Sequence, residues 1–239
     1  MYQVGQPAGR PYGHRTGTRA YDDTCCDDCG AVMTTDQALP VGKATDRGTS
    51  TRGALIAAAR EVFTLVGYAQ AGVSDIVTLA GASVGSLYHH FSGKADLYLT
   101  LFEELSREHT ERTRAAVRQS RGAGVTDPMQ LFLTGARAYL DVCIEQRQLA
   151  GMFARGDGPP GFEILWRQRL ADWVRKNAEF FARSGEPLDE AAAVVMTGAM
   201  MLAVAEVSLA SDTDAARQLA DGVLAVLARL GGTGPDEAA

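Results

Sequence analysis

The sequence of 239 residues lacks several features that would place it in a common functional class. It has no run of about 20 apolar residues, the length that spans a bilayer, so we expect no membrane association. Arg10, Arg15 and Arg19 are not followed by the apolar block of a secretory signal. Hydrophobic residues make up 46% of the chain and charged residues 22%, which is typical of a soluble globular protein. The sequence therefore predicts a cytoplasmic protein.

Motifs of catalysis are also scarce. The sequence contains no glycine-rich phosphate loop, and no pair of metal-ligating residues accompanies the one candidate nucleophile in the C-terminal half. The one set that suggests nucleophilic catalysis is Cys143 with His109 and Asp141, and Cys143 lies in an apolar helical segment. We therefore expect no enzymatic activity, no cofactor and no metal centre, and an enzyme remains the rival class.

Only four cysteines are present, and three of them lie close together near the N-terminus. Cys26 and Cys29 have the two-residue gap of a zinc knuckle, and Cys25 and His14 could add ligands. No second pair follows at the spacing of a zinc finger, so the alternative is a solvated tail with reduced thiols. Residues 1–46 have no sustained hydrophobic period, and we predict that they form a disordered arm.

A segment in the first half of the chain, residues 67–94, contains two short helical patterns separated by a three-residue break. The first helix is predicted over residues 74–80. Gly81 favours the left-handed conformation that ends a helix. Ser83 can cap the next helix, which is predicted over residues 84–91. This arrangement is a helix-turn-helix.

Apolar residues recur at helical spacing in both short helices, and we expect them to face inward. They are Ile76, Leu79 and Ala80 in the first helix and Val84, Leu87, Tyr88 and Phe91 in the second. Ser86, His89 and His90 remain for the outer side. A short second helix with a polar outer face fits the DNA major groove while the first helix crosses the phosphate backbone. The alternative is an ordinary helix pair joined by a glycine turn.

The net charge of −6 is unevenly distributed along the chain. Residues 1–42 carry −2, residues 43–94 carry +2, and the remainder carries −6. The positive section is the one that contains the helix-turn-helix. Contact with phosphates requires such a local basic surface, and an acidic remainder limits indiscriminate binding to nucleic acid.

The helix-turn-helix segment closely resembles the N-terminal DNA-binding domain of TetR-family transcriptional regulators. About 45 residues carry the resemblance, counting the preceding helix. The matching motif consists of Gly67-Tyr68, Ile76-Val77, Ala80-Gly81-Ala82-Ser83, Gly85, Leu87-Tyr88, His90-Phe91 and Lys94. The resemblance implies an all-α fold, in which an N-terminal three-helix domain is followed by a helical domain for ligand binding and dimerisation.

The resemblance also implies a set of residues that contact double-stranded DNA. They are Ser83, Val84, Gly85, Ser86, Tyr88, His89, His90 and Lys94. Thr51, near the start of the preceding helix, could also give its N–H or hydroxyl to a phosphate, and the alternative is an ordinary helix cap. Lys94 opposes the dipole at a helix start, so we expect that a phosphate contact retains it. Because the reading helix has no Arg or Lys, the shape of the operator should carry much of the specificity.

We divide the chain into a disordered arm (1–46), the helix-turn-helix domain (47–94), the helical domain (95–231) and a disordered tail (232–239). The further helices are predicted over 51–66, from Lys94 to near Ser120, and over 128–146, 149–155, 161–184, 187–209 and 214–230.

Two of these helices carry ridges of small and medium apolar residues. The ridges are Ala191, Val195, Gly198, Ala199, Leu202, Ala205 and Leu209, and Ala216, Leu219, Ala220, Val223, Val226, Leu227 and Leu230. Paired with their symmetry mates, they would form the four-helix dimer interface of the TetR family. A monomer core has the same pattern and is the alternative. We expect a homodimer, because it places two reading helices in successive major grooves about 34 Å apart.

Large side chains are frequent in the C-terminal half, where the resemblance implies a cavity for a small-molecule effector. Our candidates for its lining are Tyr139, Phe153, Trp166, Trp173, Met200 and Glu206. Asp141, Arg137 and Arg169 are further polar candidates for orienting a ligand. Most of the large residues must simply form the core.

These expectations describe a repressor that leaves its operator when the effector binds. A ligand would tilt the long helix that starts at Lys94 and change the separation of the two reading helices. The alternative is a protein of the same fold that does not bind DNA and acts through protein contacts. The effector, the operator and the sign of regulation are not encoded in any motif that we identify.

Overall fold

A computed structural model of the protein describes residues 46–185 and 187–232. Within these ranges the chain forms nine α-helices and no strand, which confirms the all-α prediction. The helices are α1 Asp46–Gln70, α2 Val73–Leu79, α3 Val84–His90, α4 Lys94–Gly122, α5 Pro128–Glu145, α6 Arg147–Ala154, α7 Phe162–Arg183, α8 Glu190–Leu209 and α9 Thr213–Gly232.

The helix order agrees with the sequence prediction, and α1 differs most from its predicted bounds. It begins at Asp46 rather than near Thr51, and it ends at Gln70 rather than near Val66. Gly67 has a φ of 80° within it, so the regular helix is interrupted there and a short turn follows. The predicted arm and tail, including Cys25, Cys26 and Cys29, lie outside the described residues except for Asp46 and Gly232, which are helical.

The first three helices and the start of α4 form a head around a small apolar core. Leu55 and Phe63 of α1, Ile76 of α2 and Leu87 of α3 are fully buried in it. The prediction that Leu79 faces inward is wrong: its side chain is 50% exposed. Val77 is buried in α2 instead, because it lies on the side that packs against α1.

The 29-residue helix α4 joins the head to the body. Leu97, Tyr98, Leu101, Phe102 and Leu105 form its buried stripe, and the opposite side carries charged residues. Apolar side chains of the head and of the body therefore belong to one continuous core. A shift of α4 is felt at both ends, since close-packed interiors transmit displacement.

The body consists of α5 to α9, and α8 is its central helix, in contact with α5, α6, α7 and α9. Met196, Met200, Ala203 and Val207 of α8 are buried among these neighbours. By length and composition α8 passes the test for a membrane span, contrary to our expectation that no segment would. In this protein 44% of its most apolar stretch is buried inside the fold, as in the core helix of a helical bundle.

Candidate DNA-binding face and ligand cavity

The turn between α2 and α3 has the hydrogen bonds of a tight helix-turn-helix. Gly81 takes a φ of 61°, the left-handed conformation predicted for it. The amide of Gly81 donates to the carbonyl of Thr78 at 3.2 Å, and the amide of Ala82 donates to that of Val77 at 2.9 Å. These bonds close the end of α2 and turn the chain towards α3.

Side chains cap both short helices at their N-termini. Ser83 Oγ accepts a hydrogen bond from the amide of Ser86 at 3.0 Å, as predicted from the sequence. At the start of α2 the carboxylate of Asp75 accepts from the amide of Gly72 at 3.2 Å. Gly72 is therefore the N-cap, and Ser74 lies inside the helix.

The two faces of α3 differ sharply in exposure. Leu87 is fully buried and Phe91, just beyond the helix, is 3% exposed. Val84 and Tyr88, which the sequence pattern placed on the inner face, are 49% and 57% exposed. That part of the prediction is wrong, because the head has room for only one narrow apolar stripe from so short a helix.

The outer face of α3 collects most of the residues predicted to contact DNA. Ser83, Val84, Gly85, Tyr88 and His89 are exposed, and Ser86 and His90 are partly exposed. The rings of His89 and His90 meet edge to face, with centroids 5.0 Å apart. The structure thus presents one outward surface, the α3 face, made of hydroxyls, imidazoles, small side chains and one isopropyl group.

Arg52 of α1 is a basic residue that lies beside α3. The guanidinium of Arg52 lies over the ring of Phe91 at 5.1 Å from its centroid, and the side chain is exposed. Sequence reasoning did not select Arg52, although it lies one residue after the candidate Thr51. Thr51 lies in the second turn of α1, so its amide is bonded within the helix and does not act as the helix N-terminal donor that its predicted position suggested.

The expected phosphate contact does not explain Lys94. Its ammonium donates to the carbonyl of Tyr68 at 2.7 Å, of Ala71 at 3.0 Å and of Ala69 at 3.4 Å. It also lies 4.3 Å from the centroid of the Tyr68 ring. An ammonium has three donors, and all three are engaged. Lys94 ties the end of α1 to the start of α4, so it has a positioning role, and its phosphate contact stays a prediction.

A cavity of about 260 Å³ lies inside the body, between α4, α5, α6, α7 and α8. Its wall is mostly apolar and rich in aromatic rings. It is lined by Phe102, Leu105, Ser106, His109, Tyr139, Ala150, Phe153, Ala154, Gly156, Gly158, Pro159, Phe162, Glu163, Trp166, Trp173, Met201, Val204 and Ala205.

Four of the six predicted lining residues reach this cavity and two do not. Tyr139, Phe153, Trp166 and Trp173 line it. Met200 is buried away from it, because the neighbouring Met201 occupies the cavity side of α8. Glu206 is exposed, on the side of α8 that faces away from Val204 and Ala205. The apolar sequence around Glu206 suggested a buried carboxylate, and the helical period places it outside.

His109 is a polar lining residue that sequence reasoning did not assign to the cavity. Its ring stacks on Tyr139 with centroids 3.9 Å apart, and its Nε2 lies 3.4 Å from Cys143 Sγ. Burial lowers the pKa of His109 to about 3, so the imidazole is neutral. The signal was present in the sequence, since His109 continues the inward stripe of α4 four residues after Leu105.

The contact between His109 and Cys143 bears on the candidate catalytic set of Cys143, His109 and Asp141. Cys143 and His109 meet, but burial raises the pKa of the Cys143 thiol, so a neutral thiol faces a neutral ring. Asp141 is partly exposed and lines a separate surface groove beside Arg137. The arrangement lacks the thiolate and imidazolium that an activated cysteine needs.

The loop between α6 and α7 touches both the cavity and the head. Gly158 and Pro159 of this loop line the cavity, and the carboxylate of Asp157 accepts from the amide of Ala69 at 3.3 Å. A Cβ atom at Gly67 would lie 2.5 Å from Asp157 Oδ2, so glycine allows this close approach.

Tyr98 of α4 makes a second connection between the cavity and the head. Its ring meets Phe63 and Tyr68 of the head at 5.9 and 5.2 Å, and Phe153 and Phe162 of the cavity at 5.0 and 5.1 Å. These edge-on contacts form a continuous row of rings. Tyr98 therefore packs against rings of both the cavity and the head, so a change in cavity shape would alter the packing of the head.

A second uncovered surface lies on α8 and α9, and we call it the α8–α9 face. Its exposed apolar residues are Val195, Leu202, Leu209, Leu219 and Val226, with exposed fractions from 39% to 64%. On α9 the predicted ridge divides, because Ala216, Ala220 and Leu227 pack into the protomer. Exposed apolar patches of this kind mark interaction surfaces.

Comparison with known proteins identifies the head. The model of the family described as "Bacterial regulatory proteins, tetR family" matches residues 55–101. The transcriptional activator FasR of Mycolicibacterium smegmatis is 38% identical over 90 residues, which are 38% of this chain and 39% of that protein. The transcriptional regulator CymR of Pseudomonas putida is 44% identical over 70 residues, 29% of this chain and 34% of that one. The matches span well under half of these relatives.

Solved structures extend the likeness to the body. The fatty acid degradation regulator FadR from Bacillus halodurans superposes with a TM-score of 0.60 at 19% identity, over 78% of this chain and 97% of that one. A TetR-family regulator from Pectobacterium atrosepticum superposes with a TM-score of 0.54 at 27% identity, over 77% of this chain and 94% of that one. The whole helical architecture is therefore shared.

A helix-turn-helix head joined by one long helix to a helical body with a cavity is the architecture of one class of bacterial regulator. The segment 55–101 matches the family of bacterial regulatory proteins of the tetR type, and the described chain shares the fold of TetR-family regulators.

Proposed function

We propose that the protein is a homodimeric, DNA-binding transcriptional repressor that leaves its operator when a small molecule occupies the cavity. The observation that carries this proposal is the α3 face, where Ser83, Val84, Tyr88 and His89 lie outward while Leu87 fixes the helix to the head. A helix held by its inner side and uncovered on its outer side can enter a major groove.

The side chains of the α3 face suit different parts of a duplex. Val84 can contact a thymine methyl group, and the hydroxyl of Ser86 or an imidazole can bond a base edge. We assign phosphate contacts to Tyr88 and to Thr51 and Arg52 of α1. Gly85 and His90 belong to the same surface, and Lys94 acts by holding α1 and α4 together.

Dimerisation through the α8–α9 face supports the same function. One α3 helix contacts few bases, so two copies related by a twofold axis are needed for a specific site. Self-association also covers the exposed side chains of Leu202 and Val226. A regulator of this kind acts in the cytoplasm, where it meets chromosomal DNA.

Release requires that the cavity and the head be coupled. The Asp157–Ala69 contact and the row of rings through Tyr98 supply two routes between them. A ligand that shifts Gly158, Pro159 or Phe162 would strain both contacts. Such a ligand lowers DNA affinity only if it binds more tightly to a conformation in which the two heads have a different spacing from the one that the operator requires.

The proposal is tested by fluorescence anisotropy with duplexes from the DNA flanking the protein's own coding region and from a selected random library. We expect a duplex bound in preference to competitor DNA, with affinity that falls as salt rises. The matched variants are Val84→Glu, on the α3 face, and Glu163→Gln, far from it; only the first should lose binding. Equal affinity of Val84→Glu and the unaltered protein would refute the role of α3 and favour a protein that acts without DNA.

A further inference from the structure

An arginine interrupts the aromatic stripe of α7 that faces the cavity. Phe162, Trp166 and Trp173 line the cavity, and Arg169 lies on the same side of the helix at helical spacing. A cation at this position is unexpected on a face that otherwise consists of large apolar rings.

The guanidinium of Arg169 lies behind the cavity lining, in contact with two of the residues that form it. Its Nη1 donates to Ser106 Oγ at 2.6 Å, and the group lies 4.4 Å from the centroid of Phe102. Ser106 and Phe102 both line the cavity. Ser106 Oγ itself donates to the carbonyl of Phe102 at 2.7 Å, so the hydroxyl is already oriented by its own helix.

No acidic side chain among the described residues forms an ion pair with Arg169. Burial lowers the pKa of the guanidinium, and the charges of Tyr139, Glu103 and Asp172 oppose this shift. Asp172 is paired with Arg175 at 3.5 Å. Charged groups withdrawn from water are ordinarily paired, because an uncompensated charge in a protein interior is costly. Arg169 is partly buried, and an anion bound in the cavity would give its guanidinium a charged partner.

The size and lining of the cavity restrict what else the ligand contains. A cavity of about 150 Å³ lined by apolar side chains accepts benzene. The present cavity of about 260 Å³ has room for roughly two fused rings. Tyr139, Phe153, Trp166 and Trp173 offer faces and edges that stack on a planar aromatic molecule.

Glu163 and His109, which also line the cavity, indicate where a ligand carboxylate is favoured. Glu163 is exposed at the rim, where its negative charge disfavours a second anion. His109 is buried and neutral beside Tyr139, and it offers a hydrogen bond but no charge. A carboxylate is therefore favoured only at the Arg169 side, next to Ser106.

We infer that the cavity binds a planar aromatic carboxylate of about two fused rings, with Arg169 as its counter-ion and Ser106 beside it. This inference rests on the proposed function of the cavity as a ligand site. The carboxylate replaces Ser106 Oγ as the acceptor of the Arg169 hydrogen bond, and the rings stack against Trp166 and Trp173. Arg169 is then a specificity-determining residue, which selects acids over neutral or cationic analogues.

The test uses three probes of one shape: 2-naphthoate, 2-naphthol and 2-naphthylmethylammonium. Each is titrated into the full-length protein by isothermal calorimetry, with quenching of tryptophan fluorescence as a second signal. We expect 2-naphthoate to bind at least about tenfold more tightly than either analogue. Tighter binding of 2-naphthol or of the ammonium compound, or binding of none of the three, overturns the inference.

Variants of α7 separate the charge from the fold. Arg169→Met keeps an apolar stem over Phe102 and removes the charge, so 2-naphthoate should bind about tenfold more weakly while 2-naphthol changes less than about twofold. Arg167→Met removes an exposed arginine from the opposite side of the same helix and should change neither affinity. Equal loss with both variants, or none with Arg169→Met, contradicts the assignment. Circular dichroism verifies that both variants are folded.

DNA binding is measured separately from ligand binding, so the two proposals fail independently. If the protein without any probe bound no duplex, its proposed function as a DNA-binding regulator would be refuted. The inferred ligand class would still stand. If 2-naphthoate binds through Arg169 and the duplex is still held with equal affinity, the ligand class stands and release by this ligand is refuted.

Discussion

The α3 face and the α8–α9 face, both exposed in the described part of the chain, differ in chemistry. The α3 face consists of hydroxyls, imidazoles, a phenol and backbone close to the surface, with Val84 as its one large aliphatic side chain. The α8–α9 face exposes the apolar side chains of Val195, Leu202, Leu209 and Val226, and Glu206 is exposed on α8 between Leu202 and Leu209. Water solvates the first surface well and the second poorly. The first can therefore exchange water for a polar duplex, whereas the second gains by meeting another apolar surface.

Substitution on the α8–α9 face gives the largest expected effect. Leu202→Glu places a charge where 64% of the side chain is exposed, so the protomer should fold normally. The charge would be buried if two copies met there, and the dimer should dissociate. We expect light scattering to show a monomer and duplex affinity to fall by about 100-fold or more, since one reading head remains.

Ile164→Glu is the matched control for Leu202→Glu. Ile164 is 54% exposed on α7 and lies outside the α8–α9 face. It should leave the mass in solution unchanged. If Leu202→Glu remained dimeric, or if the unaltered protein were a monomer, the α8–α9 face would have to be covered in another way.

The inner and outer sides of α3 supply the next test. Leu87→Ala removes a fully buried side chain and should lower the free energy of unfolding by about 2–5 kcal/mol. Val84→Ala alters the exposed side of the same helix and should change stability by less than about 0.5 kcal/mol while it weakens duplex binding. Thermal denaturation and anisotropy measure the two quantities. The reverse pattern would mean that α3 is oriented the other way.

His109 is buried, whereas His89 and His90 of the α3 face are exposed or partly exposed. Because the pKa of His109 is lowered to about 3, the unfolded chain takes up a proton below pH 6.5 that the folded protein refuses. The stability contributed by the neutral ring is therefore lost as pH falls from about 6.5 to 3, by up to about 1.4 kcal/mol per pH unit. His109→Phe should flatten this part of the urea-denaturation profile. The exposed change His89→Gln should not.

Lys94 and Tyr88 distinguish a positioning residue from a contact residue. Lys94→Met removes the bonds to the carbonyls of Tyr68 and Ala71 and should cost about 2 kcal/mol of stability without changing the salt dependence of DNA binding. Tyr88→Phe should leave stability unchanged and weaken binding for all sequences by about threefold. A lower salt slope for Lys94→Met would restore Lys94 to the phosphate contacts.

The link between the cavity loop and the head gives the smallest expected effect. Asp157→Ala removes the acceptor of the Ala69 amide, so hydrogen exchange at Ala69 should become about tenfold faster with a global loss of less than about 1 kcal/mol. Gln146→Ala is the control, since it breaks the contact of Arg60 with the body away from the cavity. Unchanged exchange at Ala69 in the first variant would remove Asp157 from the coupling route.

Local chemistry allowed the helix-turn-helix to be predicted closely. Gly81 and Ser83 act within a few residues of themselves, one by its φ and one by its hydroxyl, and the structure has both as expected. The inward positions of the short helices were harder to predict. A seven-residue helix offers two turns, and packing against α1 decides whether Leu79 or Val77 is buried.

Contacts between distant segments could not be predicted from one sequence. The bonds of Lys94 to the end of α1 span more than twenty residues, and Asp157 meets Ala69 across 88. The cavity shows the same limit: the aromatic residues were found by type, whereas Met200 and Glu206 were misplaced because the rotation of α8 depends on its neighbours.

The central claim is that two copies of the outward α3 helix read one duplex. The most direct measurement is hydroxyl-radical footprinting of a selected duplex together with the mass of the complex. A dimer that reads the duplex with both α3 helices should give an even number of chains per duplex and protected sites on one side of the DNA helix, spaced by about 34 Å or a multiple. A single bound chain, or a footprint unchanged by Val84→Glu, would contradict the claim.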